Sequence, residues 1–219
     1  MEIKSGTNTK ANPENNPELA KLSKHLEKRG FDVHICSDKN EAANKLLDIV
    51  RNSGNKNPKL GFGNSETIRS INFIEKVSPY TSEIYVHDPL ADTADADMKA
   101  LSADFYFSSA NAVSKDGQIV NIDGTGNRTA ATCFGPKHVI FVIGKNKICA
   151  TLENAIERAR NVAAVGIAKK YKRNTPCVHT GKCEDCQSPQ CVCGVMTVHR
   201  RQLHGNKITI ILVDEDLGI

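Results

Sequence analysis

The sequence predicts an α/β fold in which a largely parallel sheet carries helices on both faces. Segments of strand character alternate with segments of helical character through most of the 219 residues, and this alternation is typical of parallel sheets with crossover helices. The run HVIFVIG, residues 138–144, is almost continuously apolar, which indicates a strand covered on both faces. Two other predicted strands run into glycine-rich turns, at the sheet end where such folds bind ligands.

The first predicted elements are a helix, a strand and a second helix. Residues 1–16 are polar and rich in Asn, Lys and Glu, so we expect a disordered lead-in before one domain over residues 17–219. A helix with leucines on one face comes next and ends at Gly30. Residues 31–36 alternate as in a strand, and residues 38–54 carry the apolar stripe of a second helix.

The first candidate binding loop is Gly61-Phe-Gly63, between a short strand and a helix. Ser65 and Thr67 stand at the start of that helix. A strand, a Gly-x-Gly turn and a helix N-terminus together present backbone N–H groups and hydroxyls to phosphate or carboxylate. Tight strand-to-helix turns also need glycine for steric reasons, so this motif alone is open to either interpretation.

The second candidate loop closes the stretch NAVSKDGQIVNIDGTGNR, residues 111–128. Its turn KDG joins two strands, because glycine accepts the backbone conformation of a hairpin connection. The loop DGTGNR, residues 123–128, then places a carboxylate, two glycines, an amide and a guanidinium directly before a helical segment. A surface turn is the alternative, but an arginine at a helix start favours an anion-binding loop.

The remaining elements bring one more polar group to a strand end. Further strands are predicted at residues 83–87, 104–109, 138–144 and 207–213, with helices in the second half of 88–101 and from Thr151 onward. Lys145 directly follows the strand 138–144. Because the carboxyl ends of parallel strands meet at one edge of a sheet, we expect both glycine loops and residues 145–147 to converge on one site.

Composition limits the classes of function. The formal charge is +4, from 29 Lys and Arg against 25 Asp and Glu, which is too mild to call for a nucleic-acid partner. No apolar segment is long enough to span a bilayer, and the N-terminus has no secretory signal. We therefore expect a cytoplasmic protein. Eight cysteines in a reducing compartment indicate metal binding or free thiols.

Five of these cysteines lie close together, in a segment over residues 174–196. They are Cys177, Cys183, Cys186, Cys191 and Cys193. The pair Cys183-x-x-Cys186 has the spacing at which two thiolates bind one metal ion or cluster. A redox dithiol and five unrelated thiols are the alternatives, and the spacing does not distinguish zinc from iron–sulfur. His179 lies inside the segment, and Cys36, Cys133 and Cys149 are expected to be small core residues.

Several of these segments together resemble the lactate-utilisation (LUD) domain family. They are NAVSKDGQIVNIDGTGNR, GPKHVIFVIGKNKI, ENAIERARNVAA, TPCVHTGKCEDCQSP and ITIILVDEDLG, which cover the chain in order from about Pro17. The resemblance implies a fold similar to the ribose-5-phosphate isomerase and CoA-transferase superfamily. Asp123-Gly124 is similar to the catalytic Asp-Gly motif of the isomerases. The match then ends, because Gly126-Asn127-Arg128 stands where the isomerases have a further acidic pair.

The resemblance also implies a ligand, a metal centre and partners. The ligand is a small organic acid or phosphorylated metabolite, with Asp123 as a candidate base. The residues predicted to bind it are Gly61, Gly63, Ser65, Thr67, Asn111, Asp123, Gly124, Gly126, Asn127, Arg128 and Lys145. The implied metal ligands are Cys177, Cys183, Cys186 and Cys193, with Cys191 as a spare thiol. Oxidation of lactate through iron–sulfur subunits favours an iron–sulfur cluster, with zinc as the alternative.

Two other functions compete with an organic-acid-binding protein of this family. One is an isomerase or transferase that acts without a redox partner and has structural zinc in the cysteine segment. The other is a non-enzymatic module that binds a partner or nucleic acid through the basic residues around that segment. These residues are Lys169, Lys170, Lys172, Arg173, Arg200 and Arg201. Such charges are more often a solvated surface.

Overall fold

The computed structural model describes residues 16–203 and 205–219. Its helices are α1 (Pro17–Lys28), α2 (Lys39–Arg51), α3 (Glu66–Ser70), α4 (Phe73–Val77), α5 (Ala94–Ala100), α6 (Asn127–Cys133), α7 (Leu152–Arg158), α8 (Val165–Lys170) and α9 (Pro176–Thr180). A π-helical turn, Ala159–Ala164, joins α7 to α8. Apart from Asn16, the predicted lead-in lies outside the described residues. Asn16 caps α1 by accepting the N–H groups of Glu18 and Leu19.

The strands form two sheets. They are β1 (Asp32–Cys36), β2 (Lys59–Phe62), β3 (Glu83–Val86), β4 (Phe105–Ser108), β5 (Ala112–Ser114), β6 (Ile119–Asp123), β7 (His138–Gly144), β8 (Ile148–Cys149), β9 (Val195–His199) and β10 (Lys207–Val213). Within the described residues, six strands build the main sheet in the order β1-β10-β7-β4-β2-β3. All of its neighbours run parallel.

Apolar side chains cover both faces of the main sheet, as the sequence predicts. On one face, α2, α3 and α4 pack against the sheet with a core that includes Leu46, Phe73 and Phe107. On the other face, α1, α5 and α6 form a core with Leu22, Phe141 and the opposite faces of the same strands. Because strand side chains alternate between faces, the almost wholly apolar β7 and β10 contribute to both cores. The α/β prediction is confirmed.

A second sheet, in the order β8-β5-β6-β9, was not predicted. The hairpin of β5 and β6 is antiparallel, as the KDG turn predicts. This hairpin does not extend β4, however, because the chain leaves the main sheet between Ser108 and Ala112. The outer strand β9 pairs with β6 from Ile119 to Asp123. The end of the cysteine segment is therefore a strand, and α9 lies near its beginning.

The lone cysteines differ in burial. Cys36 is buried at the end of β1, as expected, whereas Cys149 is half-buried. Cys133 is exposed at the end of α6, so its expected place in the core is wrong. Cys133 is the last residue of the seven-residue helix α6 and lies outside the core. The next residue, Phe134, is 82% exposed.

Candidate functional site

A cavity of about 600 Å³ lies at the carboxyl edge of the main sheet. Its walls are formed by the ends of three strands, the loop after β6, the π-helical turn with α8, and the cysteine segment. The lining residues include Asn64, His87, Asp88, Asn111, Asp123, Gly124, Asn127, Arg128, Ala163, Ala164, Ile167, Tyr171, Arg173, Ser188, Gln190, Cys191 and Val192. Its volume is in the range typical of sites for small molecules.

The strand order explains why a cavity forms here. The strands β2 and β4 are neighbours, but the chain continues from β2 to β3 on one side of this pair and returns from β4, by way of the second sheet, to β7 on the other side. Diverging connections open a crevice beyond the carboxyl ends of such strands. Asn64, just after β2, and Asn111, just after β4, both line the cavity. The cavity thus occupies the usual binding position of a parallel α/β sheet.

Arg128 lines this cavity from the start of α6. Its Nη2 donates a hydrogen bond to the carbonyl oxygen of Ile122. Its Nε is buried and has no hydrogen-bond partner among the described residues. A Cβ on Gly63 would lie 3.1 Å from the Cγ and Cδ of Arg128, so only glycine leaves this side chain its space. The two predicted glycine loops therefore meet at the same edge of the sheet.

Arg173 is a second guanidinium in the cavity wall. Its Nε is also buried and without a hydrogen-bond partner in the described part of the chain. Its Nη2 lies 3.5 Å from the carbonyl oxygen of Pro89. Neither Arg173 nor Arg128 forms an ion pair with a described carboxylate. Because a buried charged donor is costly to leave without a partner, two such arginines favour an anionic ligand.

Asp123 caps α6. Its Oδ2 accepts the N–H groups of Arg128 and Thr129 at 2.9 and 3.0 Å, and its Oδ1 accepts the N–H of Gly124 at 2.9 Å. A carboxylate at a helix N-terminus satisfies free N–H groups and interacts favourably with the helix dipole. Both oxygens of Asp123 are engaged in this way. Its role as a base stays a prediction, while the geometry makes it a residue that holds Arg128 in place.

We expect Asp123→Asn to lower the free energy of unfolding by about 1 kcal/mol, because one amide oxygen replaces two acceptors at the cap. Binding of an anion should weaken together with stability, since α6 carries Arg128. Urea unfolding and ligand titration of the variant measure both effects, with Asp116→Asn in the exposed KDG turn as a control. If the variant kept its stability but lost turnover steeply, the result would contradict the capping role and support Asp123 as a base.

The amide of Asn64 adds an acceptor to the cavity. Its Nδ2 donates to the hydroxyl of Tyr171 at 2.7 Å, and both residues line the cavity. Its Oδ1 is buried and lacks a hydrogen-bond partner among the residues that the structure describes. Asn111 contributes differently, because its Oδ1 accepts the N–H of Ile122 and so ties β6 to the end of β4. Asn64 therefore offers the free carbonyl oxygen of this wall.

Several residues of the predicted site do not line the cavity. Ser65 is buried and caps α3 by accepting the N–H of Ile68 at 3.3 Å. Gly61 is buried against Tyr106 and Ala100. Lys145 is exposed and pairs with Asp214 at 3.0 Å. Gly126 is the left-handed residue before α6. Of the predicted binding residues, Asn111, Asp123, Gly124, Asn127 and Arg128 come together on the wall.

Thr67 is buried beside Lys147, the last residue of the segment 145–147 that we expected to converge on the site. The Nζ of Lys147 donates to the hydroxyls of Thr67 and Ser109, both at 2.9 Å. Lys147 is 4% exposed and forms no ion pair with a described carboxylate. Burial, together with the positive charges of Arg158 and Arg128, lowers its pKa from 10.5 to about 7. Three cations thus lie close together near the carboxyl edge of the sheet.

The π-helical turn contributes the opposite wall. Ala163 and Ala164 line the cavity from this turn, and Ile167 and Tyr171 continue the wall along α8. A π-helical turn accommodates an extra residue within a helix and occurs often at functional sites. Small alanine side chains leave the bulged surface open. This part of the wall is therefore apolar.

The cysteine segment closes the cavity above the loop after β6. Ser188, Gln190, Cys191 and Val192 line it, and Gly124 lies against Val192, where an added Cβ would be 3.5 Å from the Val192 Cα. Sequence reasoning treated this segment as a separate metal site. The geometry makes it a wall of the same cavity.

The described thiols have the chemistry of a metal site but not its geometry. Among the described residues, no group of three His, Cys, Asp or Glu side chains converges so as to hold a metal ion. Burial raises the pKa of Cys193 to about 11, and the neighbouring thiols Cys191, Cys183 and Cys186 raise it too. The Sγ of Cys177 instead lies 3.1 Å from the hydroxyl of Thr175. Cys191, the predicted spare, is therefore among the thiols that interact with Cys193.

The predicted ligand set has a direct test. We expect Cys183→Ser to abolish bound metal in protein purified without oxygen, whereas Cys191→Ser should retain it. Metal analysis and a visible absorption spectrum measure the content and distinguish an iron–sulfur cluster from zinc. Equal loss of metal in both variants would contradict the assignment of Cys191 as the spare.

A histidine in the wall and the aspartate that it contacts were not predicted from the sequence. His87 follows β3, and its Nδ1 lies 2.9 and 3.1 Å from the two carboxylate oxygens of Asp97 on α5. The hydroxyl of Thr93 lies 3.0 Å from the same Nδ1. The two partners are ten positions apart in a segment that reads as an acidic helix. The available signal was the single histidine at the end of a predicted strand.

Comparisons with known proteins agree on the type of domain. The family model described as the LUD domain matches residues 19–213. No curated protein matches the chain. The crystal structure of a DUF162-family protein from Deinococcus radiodurans superimposes with a TM-score of 0.50 and 13% sequence identity. The match covers 90% of this chain and 96% of that chain. At this identity the similarity concerns the fold alone.

Across residues 16–203 and 205–219, no helix combines the length and the apolar character that crossing a membrane requires.

Proposed function

Because the chain belongs to the LUD-domain family, we propose that its cavity binds a small organic acid as the carboxylate, within the oxidation of lactate or a related acid. The observation that carries this proposal is the pair of arginines in one cavity, each with a buried Nε–H that lacks a partner among the described residues. A guanidinium binds a carboxylate through parallel hydrogen bonds, and a partner in this position would satisfy both buried donors.

The electrostatics favour an anion over a neutral ligand. Arg128, Arg158 and Lys147 lie close enough for the two arginines to lower the pKa of the lysine. Of the carboxylates in the wall, Asp123 is engaged by backbone N–H groups, and Asp88 is exposed and accepts the N–H of Leu90. Ala163 and Ala164 add apolar surface to the cavity, and apolar surroundings strengthen the attraction between cations and a bound anion.

The buried oxygen of Asn64 favours a ligand that also carries a hydrogen-bond donor. This Oδ1 accepts hydrogen bonds only, and it is buried without a described donor. A donor group of the ligand would satisfy it while the carboxylate lies on the arginines. A phosphorylated metabolite is the alternative ligand, because arginines and α6 bind phosphate by the same chemistry.

The cysteine segment and its partners belong to the same proposal. An iron–sulfur cluster, or alternatively zinc, would be held by thiolates of that segment, and a cluster would supply electron transfer to iron–sulfur redox subunits. Since the described thiols do not converge as a metal-binding group, we assign no step of the reaction to this centre. The segment contributes to ligand binding as a wall of the cavity.

Calorimetric titration with three matched probes tests the proposal. Lactate should bind, and lactamide, which has the same shape but no charge, should bind at least tenfold more weakly because it cannot pair with the arginines. Phosphate is the third probe. Binding of phosphate but not of lactate would support the phosphorylated ligand instead. Equal binding of lactate and lactamide would contradict an anion site.

A further inference from the structure

His87 lines the cavity and contacts Asp97, but it has no role in the binding proposed above. Asp97 is held from two sides, because the Nδ2 of Asn127 donates to its Oδ1 at 3.0 Å and the hydroxyl of Thr93 donates to its Oδ2 at 3.3 Å. His87 and Asn127 both line the cavity. The carboxylate is therefore fixed between the histidine and the loop that carries Arg128.

These contacts determine which nitrogen of His87 carries the proton. A carboxylate only accepts hydrogen bonds, so the Nδ1 that faces Asp97 at 2.9 Å must be the donor. The neutral imidazole then has its lone pair on Nε2. Nε2 has no hydrogen-bond partner in the described part of the chain. The ring therefore presents an unoccupied proton acceptor in a cavity that also contains Arg128 and Arg173.

We propose that His87 is the catalytic acid–base residue of this cavity and that Asp97 is its positioning residue. This inference rests on the proposed binding of an organic acid. The Nε2 lone pair accepts the proton of a hydroxyl on the bound acid, the O–H bond breaks, and its electron pair stays on the ligand oxygen. The imidazolium that forms keeps its Nδ1–H on Asp97, whose negative charge stabilises it. The reverse transfer returns the proton.

The arrangement has the parts that such a transfer needs. Proton transfer by a side chain requires hydrogen-bond contact with the reacting group and a fixed orientation of the ring. Asp97 and Thr93 fix the ring through Nδ1, and Asn127 couples this fixed position to Arg128, its neighbour in the chain. A carboxylate on Arg128 and a hydroxyl on His87 would then be held by one rigid group of residues.

Lactate and propionate form a matched pair of probes, because they share the carboxylate and differ in the hydroxyl. We expect wild-type protein to bind lactate about tenfold more tightly than propionate, from one additional hydrogen bond. Nitrogen-15 NMR of the imidazole should show His87 with a protonated Nδ1. Lactate, but not propionate, should shift the Nε2 signal. His87→Gln should bind both acids with the affinity that propionate has for the wild type.

Two further variants isolate the roles. Asp97→Asn offers an amide N–H to the ring, so the proton should move to Nε2, and the preference for lactate should vanish while propionate still binds. His34→Gln, in another histidine–aspartate pair where Nε2 lies 3.6 Å from Asp32 and which is not part of this cavity, should leave the preference intact.

The outcomes separate the two proposals. Equal binding of lactate and propionate to the wild type, an Nε2 signal that lactate does not shift, or a preference retained by His87→Gln would each overturn the role of His87 while leaving the anion site in place. Failure of both acids to bind would overturn the proposed function together with this inference.

Discussion

Replacing Arg128 by lysine should weaken the binding of lactate about thirtyfold while the protein stays folded. The guanidinium can donate two parallel hydrogen bonds to a carboxylate, and a single ammonium cannot reproduce them. Loss of a charged hydrogen-bond partner costs on the order of 2 kcal/mol, which corresponds to this factor in affinity. The Nε of Arg128 is the buried donor that would lose its partner. Calorimetric titration of the variant gives the ratio of dissociation constants.

Arg51→Lys is the matched control. Arg51 lies over the ring of Tyr80, 5.2 Å from its centroid, and does not line the cavity. The same substitution there should leave the dissociation constant unchanged. A similar loss of affinity in both variants would mean that total charge, and not the geometry of Arg128, determines binding.

Replacing Lys147 by methionine should raise the free energy of unfolding by about 3 kcal/mol below pH 7. The folded protein lowers the pKa of this lysine from the ordinary value of 10.5 to about 7. The unfolded chain therefore binds the proton more tightly, and burial of the ammonium destabilises the native state at low pH. Loss of the hydrogen bonds to Thr67 and Ser109 offsets part of the gain.

The gain has a defined dependence on pH. Between pH 7 and 10.5 the wild type becomes relatively more stable as pH rises, because folded Lys147 is already neutral and the unfolded chain loses its proton. The advantage of Lys147→Met should therefore shrink across this window. Urea unfolding at a series of pH values measures it. Lys145→Met, at an exposed position two residues away, should change stability little at any pH, and a similar gain there would contradict the account.

If Lys147→Met stabilises the protein, the lysine is unfavourable for folding, and its role is then in ligand binding. A buried cation without a carboxylate partner is unfavourable for folding, and its positive charge lies near Arg128. We expect Lys147→Met to weaken lactate binding and at the same time to stabilise the protein. Cations that attract a bound anion repel one another when no anion is bound, so removal of one of them relieves this repulsion but also removes part of the attraction.

The sequence predicted the α/β fold because local patterns determine it. Leucines on one face of α1, the capping aspartate of α2 and the apolar run of β7 each specify an element without reference to distant residues. The prediction of helices on both faces follows from the continuous apolar strands. The family resemblance, carried by motifs such as residues 111–128, is borne out by the LUD-domain match.

The second sheet was not predictable in the same way. Its strands β8 and β9 are short or follow a segment dominated by cysteines, and β9 is half exposed, so neither shows a clear apolar pattern. Pairing of β9 with β6 joins residues more than 70 positions apart. Such contacts depend on the tertiary arrangement, which short-range patterns do not specify.

The candidate site was partly predictable for a similar reason. Arg128 was found because it stands in a glycine-rich loop before a helix. Arg173 was grouped with solvated surface charges, since nothing around it in the chain indicates burial. Asn64 and His87 were overlooked because a single polar residue after a strand is common. Asn64 follows β2 and His87 follows β3, and their position on one cavity becomes visible only from the strand order.

The most direct test of the anion site is nitrogen-15 NMR of the arginine Nε–H groups as lactate is added. The Nε–H signals of Arg128 and Arg173 should both shift and exchange more slowly with water, because a carboxylate occupies the two donors that lack partners in the described structure. The signal of Arg51 should not move, and lactamide should cause no comparable change. Two cavity arginines that respond no more than Arg51 at saturating lactate would contradict the central claim.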